Sequence, residues 1–288
     1  MNSRLPIVAP ELAANWHAEL RLGFARDGAR TVLRDNRHRG PLRVQKALYP
    51  EGEAVCQAIV LHPPSGIAGG DHLAIEVDVA AGARAQLTTP GAGKWYRSAG
   101  AEASQTLTLT VAEGATLEWL PQESIVFDGA RARMETRVAL AADSRFIGWD
   151  ILCLGRAAAG ERFANGRFNL FCRVDRNRRP IWIERGGLAG SDPLLTSPAG
   201  WAGATVCGTL LCTFPELPQQ AAALLEALRA FAPADGARHG LTALPGILVA
   251  RYLGDNSEAA RLWFAELWKI LRPACCGRPA VIPRIWNT

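Results

Sequence analysis

The 288-residue sequence contains no Cys-x-x-Cys pair and no His-x-x-x-His, the spacings that preform a structural zinc site or a zinc-protease helix. A phosphate loop is also missing. Gly91-Ala92-Gly93-Lys94 ends in Gly-Lys but continues with Trp95, where such a loop places Ser or Thr for magnesium. Ser65 stands before Gly66 without the Gly-x-Ser-x-Gly spacing of a nucleophile elbow. These absences argue against nucleotide hydrolysis and serine-type hydrolysis by this chain alone. The seven cysteines are odd in number and follow no framework spacing, and no charged start leads into an apolar core within the first 25 residues. A reducing cytoplasm is the expected compartment. The longest uncharged run, 193–215, holds three prolines together with Gly, Ser and Thr, a composition that excludes it as a membrane helix.

What is present is ordinary for a globular protein: 49% hydrophobic residues, 20% charged, and a formal net charge of +5. Acids interrupt the basic residues throughout, so the mild excess points to a protein partner before it points to nucleic acid. The basic runs from Arg34 to Arg39 and from Arg173 to Arg185 read as solvated loop faces, too sparse for a nucleic-acid stripe.

Period-two alternation dominates the first two-thirds. Trp16, Ala18, Leu20, Leu22 and Phe24 fall on one face and His17, Glu19 and Arg21 on the other, as a half-buried strand requires. Similar strands are expected at 55–61, 73–79, 106–111, 116–120, 133–140, 167–174 and 181–185, with turn chemistry at Asp27-Gly28, Asn165-Gly166 and 177–180. A weak internal echo links residues 79–87 to 111–119 at an offset of 32, and 140–146 follows 29 residues later. Each copy reads strand, small-residue corner, strand, the pattern of a coiled or solenoid-like sheet, though an antiparallel sheet with repeated corners accounts for it nearly as well. Helices are confined to the last third. One runs from Leu217 to Phe231 with Ala221, Leu224, Leu225 and Leu228 on a stripe. A second, capped by Asp255-Asn256-Ser257, aligns Phe264, Leu267, Trp268 and Leu271 and is expected to end at Pro273. The expected fold class is mainly β: one unit over 1–288, β-rich over 1–215 and helix-containing over 216–288.

Three groups of residues carry possible chemistry. The first is the loop His62-Pro63-Pro64-Ser65-Gly66-Ile67-Ala68-Gly69-Gly70-Asp71, followed by His72. Asp71 with His62 and His72 offers a carboxylate and two imidazoles for transient binding of a divalent ion; alternatively Asp71 only caps the loop through backbone N–H groups. The second, Lys94-Trp95-Tyr96-Arg97, reads either as a protein-binding edge rich in hot-spot residue types or as a strand with one core face. The third consists of Glu118, Asp150 and Glu184, each an acid set between large apolar residues. On a sheet buried on both faces such acids point inward and need a cation, water or metal. Otherwise they are surface-facing or salt-bridged structural acids. A pair of them could also serve a β-rich hydrolase as acid and base.

Several ordered segments resemble the urease accessory protein UreD (UreH) family: 40–45, the 62–71 loop, 90–98, 117–122, Trp149-Asp150-Ile151-Leu152-Cys153-Leu154-Gly155-Arg156, and the ending Pro283-Arg284-Ile285-Trp286. The resemblance implies a non-enzymatic, coiled β scaffold with a small helical part. It implies binding to UreF, recruitment of the GTPase UreG through UreF, and docking on apo-urease, with no nucleic acid or membrane involved. It further implies delivery of nickel, held only in transit and with no tightly bound cofactor, through an internal polar passage. Asp71, Asp150 and Glu184 are the passage positions carried over by motif. In the 90–94 loop relatives often place a small polar residue where this chain has Gly93.

Overall fold

The structure, a computed structural model, describes residues 16–287. Two sheets pack around a shared core. The first has seven strands, in spatial order Arg179–Ala189, Arg167–Arg176, Arg131–Leu140, Ala103–Val111, His72–Val79, His17–Asp27 and Arg30–Arg39. The main path of the second runs Arg238–Leu244, Ile247–Gly254, Val206–Thr213, Arg145–Leu154, Thr116–Leu120, Arg84–Thr88, Cys56–Leu61 and Arg43–Val44. Three short strands, Gly66–Ile67, Gly93–Trp95 and Ser124–Val126, extend this second sheet to one side.

Through the centre of the molecule the chain alternates between the sheets, so neighbours within each sheet lie parallel and the backbone coils. The pairing register shows how the coil is wound. Val79 lies opposite Val111, and Val111 opposite Leu140. On the second sheet Arg84 lies opposite Thr116, and Thr116 opposite Arg145. These steps of 32 and 29 residues are the offsets of the sequence echo, which is therefore the length of successive turns of the coil. The corners stack as well. Gly82 and Gly114 both take positive φ, 66° and 62°, which favours Gly. Where the third corner has Asp143 instead, its Oδ1 accepts the Gly114 N–H at 2.9 Å.

Alternation places Ala18, Leu20, Leu22 and Phe24 in the core as expected, while Trp16 is 47% exposed. The strand Arg145–Leu154 is buried on both faces. Phe146, Leu152 and Leu154 join the core between the sheets, whereas Ile147, Trp149 and Ile151 join a second core. That second core is formed with α1 (Leu217–Arg229) and α2 (Ser257–Cys276). Asn256 Oδ1 caps α2 by accepting the Ala259 N–H at 3.0 Å, and Phe264, Leu267, Trp268 and Leu271 are all fully buried.

Several expectations need correction. Pro273 does not end α2, which continues to Cys276 because the last turn is anchored by buried Arg272, Cys275 and Cys276. Both basic runs are strand rather than loop. Arg34 to Arg39 lies within Arg30–Arg39, and Arg173 to Arg185 spans two strands joined at Asn177 and Arg178, both with positive φ. The last third also contains the hairpin Arg238–Leu244 and Ile247–Gly254, beyond its helices. Among the described residues no helix is long and apolar enough to cross a membrane.

Candidate functional site

Between the sheets lies a cavity of about 360 Å³. Register explains its shape. On the first sheet one row of paired residues, Ile75–Leu107–Thr136–Cys172–Glu184, lines it from strand to strand. A parallel row, Leu73–Gln105–Met134–Leu170, lies beside it. The lining thus crosses five strands, and four interstrand steps of about 4.8 Å make it roughly 19 Å long. It runs along the coil axis. His62 and Ser65 stand at one end, the 90–94 loop follows one turn further along, and Glu184 on the edge strand Arg179–Ala189 stands at the other end.

At the Glu184 end the second sheet contributes Asp150 and, paired with it, Thr209. Asp150 points inward because it alternates with Ile147, Trp149 and Ile151, which face the helices. Burial, and then the facing Glu184, push its carboxyl up to about 6. Glu184 is ion-paired: Arg251 Nη1 lies 2.6 Å from Glu184 Oε1 and 2.9 Å from Thr209 Oγ1. Burial pushes the Cys172 thiol up to about 12 and the Cys207 thiol up to about 11, so both stay protonated at neutral pH. The usable donors here are oxygens, a set suited to weak, exchangeable binding of a divalent ion rather than to a thiolate cage.

The opposite end differs. His62 lines the cavity, its buried Nε2 has no hydrogen-bond partner among the described residues, and burial holds the imidazole below its ordinary pKa against the pull of Asp71. Asp71 itself is not among the described residues that line the cavity. Its Oδ1 accepts the Trp16 N–H at 3.0 Å and its Oδ2 accepts the Ala68 N–H at 2.8 Å, so the carboxylate caps the loop. His72 Nδ1 is 2.7 Å from Ser104 Oγ, and its ring stacks on His17. Among the described residues no three His, Cys, Asp or Glu side chains gather into a metal-holding group.

The cluster at 94–97 divides. Lys94 lines the cavity, while Arg97 is exposed and sits 3.2 Å from Asp128 Oδ2. Tyr96 packs edge-on against Phe127 and covers Gly66, where any Cβ would meet the ring at 2.1 Å. Trp95 is 1% exposed and belongs to the core, which corrects its reading as a contact residue. Glu118 lies outside the cavity lining, in a buried network. Trp268 Nε1 donates to its Oε2 at 2.7 Å and Arg272 Nε at 3.0 Å, while Arg272 also reaches Glu51. Burial pushes the Glu118 carboxyl up, and Arg272 opposes the shift. The structural reading of that acid holds.

Thr209, Arg251, Cys172 and Gln105 escaped the sequence reading. Cys172 was findable, since at a spacing of two it shares the inner face of one strand with Phe168, Leu170 and Val174. Thr209 and Arg251 were not, because they lie on Val206–Thr213 and Ile247–Gly254, strands without a clean period-two pattern.

A family model described as UreD urease accessory protein matches residues 17–287. The chain belongs to the UreD family of urease accessory proteins. The urease accessory protein UreD of Dechloromonas aromatica (strain RCB) is 80% identical over 288 residues, covering all of both chains. That of Azoarcus sp. (strain BH72) is 55% identical over 273 residues, 95% of this chain and 94% of the relative. That of Pseudomonas fluorescens (strain Pf-5) is 54% identical over 286 residues, 99% of each. Family membership and the coiled β architecture were both expected from the sequence.

Proposed function

We propose that this chain is a non-catalytic maturation factor that helps deliver nickel into apo-urease in the cytoplasm. It binds UreF, through which the GTPase UreG is recruited, and the assembly docks on apo-urease. The observation that carries this reading is the cavity along the coil axis, with Asp150 and Glu184 facing one another at one end. Nickel is cargo here. An ion that must move on needs several weak oxygen sites rather than one closed cage, and two carboxylates with a threonine hydroxyl supply such a set. His62 offers a neutral nitrogen donor at the far end, and Asp71 shapes the loop that holds it.

The same pair of acids is what a two-carboxylate hydrolase would use. The Arg251 ion pair counts against that reading, because in the free chain it leaves Glu184 already paired to a cation. Turnover by the purified chain alone would restore it.

The test is the nickel content of urease purified from cells that carry the wild-type chain, no chain, Asp150→Ala or Glu184→Ala. Folded, nickel-poor urease without the chain, and with either variant although the complex still assembles, is the expected result. Fully loaded urease in all four cases would overturn the proposal.

A further inference from the structure

Fixed positive charge opposes the passage of a divalent cation, yet Lys94 lines the cavity and Arg251 lies against its acidic end. Arg251 stands on Ile247–Gly254, opposite Thr209 on one side and Gly240 on the other. Asp150, Thr209 and Arg251 therefore form one row across the second sheet, leading from the interior toward its edge. From there the arginine reaches over the gap between sheets to Glu184 on the edge strand of the first. Its guanidinium carbon lies 5.5 Å from the centre of the Trp182 ring. There is space beside it on the neighbouring strand, since a Cβ on Gly240 would meet no described atom within 4 Å.

The exposures are unequal in a telling way. The Arg251 side chain is 39% exposed and that of Glu184 17%, so the cation faces solvent and the carboxylate faces the cavity. The guanidinium is the more exposed member of the pair, so it can leave the carboxylate toward solvent without crossing the core. Among the described residues Asp150 has no such ion pair, and the charged group that acts on it is Glu184 itself.

We propose that Arg251 is a built-in counter-cation, which occupies Glu184 in the free chain and must swing outward before a divalent ion can bridge Glu184 and Asp150. This rests on the reading of the cavity as a cation passage. The guanidinium satisfies Glu184 while the passage is empty, keeps out adventitious monovalent ions, and yields to a divalent ion because two carboxylates bind a double charge more strongly than one binds a single charge. The space beside Gly240 and the partial exposure of Arg251 leave the side chain room to move.

Direct titration of the purified full-length chain with Ni²⁺ tests this. Removing the competitor by Arg251→Met is expected to tighten Ni²⁺ binding on the order of tenfold. Arg251→Lys, which keeps a charge but not the planar fork, should fall between wild type and Arg251→Met. The double variant Arg251→Met/Glu184→Gln should lose the gain. No tightening in Arg251→Met while Arg251→Lys melts like wild type, or a gain that survives in the double variant, would overturn the role of Arg251. That outcome would leave delivery standing, since delivery is judged separately by urease nickel content.

Discussion

Asp150 carries a negative charge that its surroundings disfavour. Burial first and Glu184 second raise its carboxyl from the ordinary 3.8 to about 6. Between those two values the native chain holds a proton that the unfolded chain has released. Stability therefore falls as pH rises through that window, and the full penalty is present above about 6. Asp150→Asn keeps the shape and removes the charge. It should raise the melting temperature at pH 7.5 by several degrees, on the order of 2 kcal/mol, and the gain should vanish below about pH 4. Calorimetry at the two pH values checks both the size and the sign. A destabilised Asn variant at pH 7.5 would mean that the carboxylate is held by a partner rather than suffering from its burial. An acid kept at a cost to folding is what a site under functional demand looks like. Asp71, by contrast, repays its burial with two backbone hydrogen bonds.

At the scale of elements, α2 is tied to the coil by Arg272, whose side chain is 1% exposed between Glu118 and Glu51. Arg272→Met would strand two buried carboxylates and should cost about 3–5 kcal/mol, read as a lowered denaturant midpoint at unchanged slope. Adding Glu118→Gln should recover part of that loss, since the two changes act on one network. A double variant as unstable as the sum of its parts would contradict the coupling. The same elements show what can be read from a chain alone. Alternating strands such as His17–Asp27 were legible because only one face is buried, and the coil was legible because its turns repeat in length. Arg145–Leu154 gave no period-two signal, since it is buried on both faces. Pro273 looked like a helix end because local propensity carries no information about the tertiary anchors around it. The candidate site was half legible. Asp150 and Glu184 stood out as acids in apolar settings. Their Arg251 and Thr209 neighbours come from strands brought alongside only by the fold.

For the whole molecule, the decisive property is that the cavity follows the coil axis rather than a single strand. Each turn adds a pair of lining residues to the same rows, so a bore is a natural product of stacking turns whose inner side chains do not quite meet. Thr136 stands at the middle of one row, two strands from Ile75 and two from Glu184. Thr136→Phe would place a ring in the bore without altering Asp150, Glu184 or the outer faces, and the cavity of about 360 Å³ has room to receive it. The outward-facing, exposed Thr110 on the neighbouring strand supplies the control, Thr110→Phe. Nickel per urease active site should fall severalfold with Thr136→Phe and stay at the wild-type level with Thr110→Phe, while both variants assemble with their partners equally well. Full loading through a filled bore would mean that the ion travels over the surface of the assembly. The inward acids would then need another explanation, with the hydrolase reading next in line. Loss of nickel with intact assembly would separate the passage from the scaffold, because only the interior would have changed.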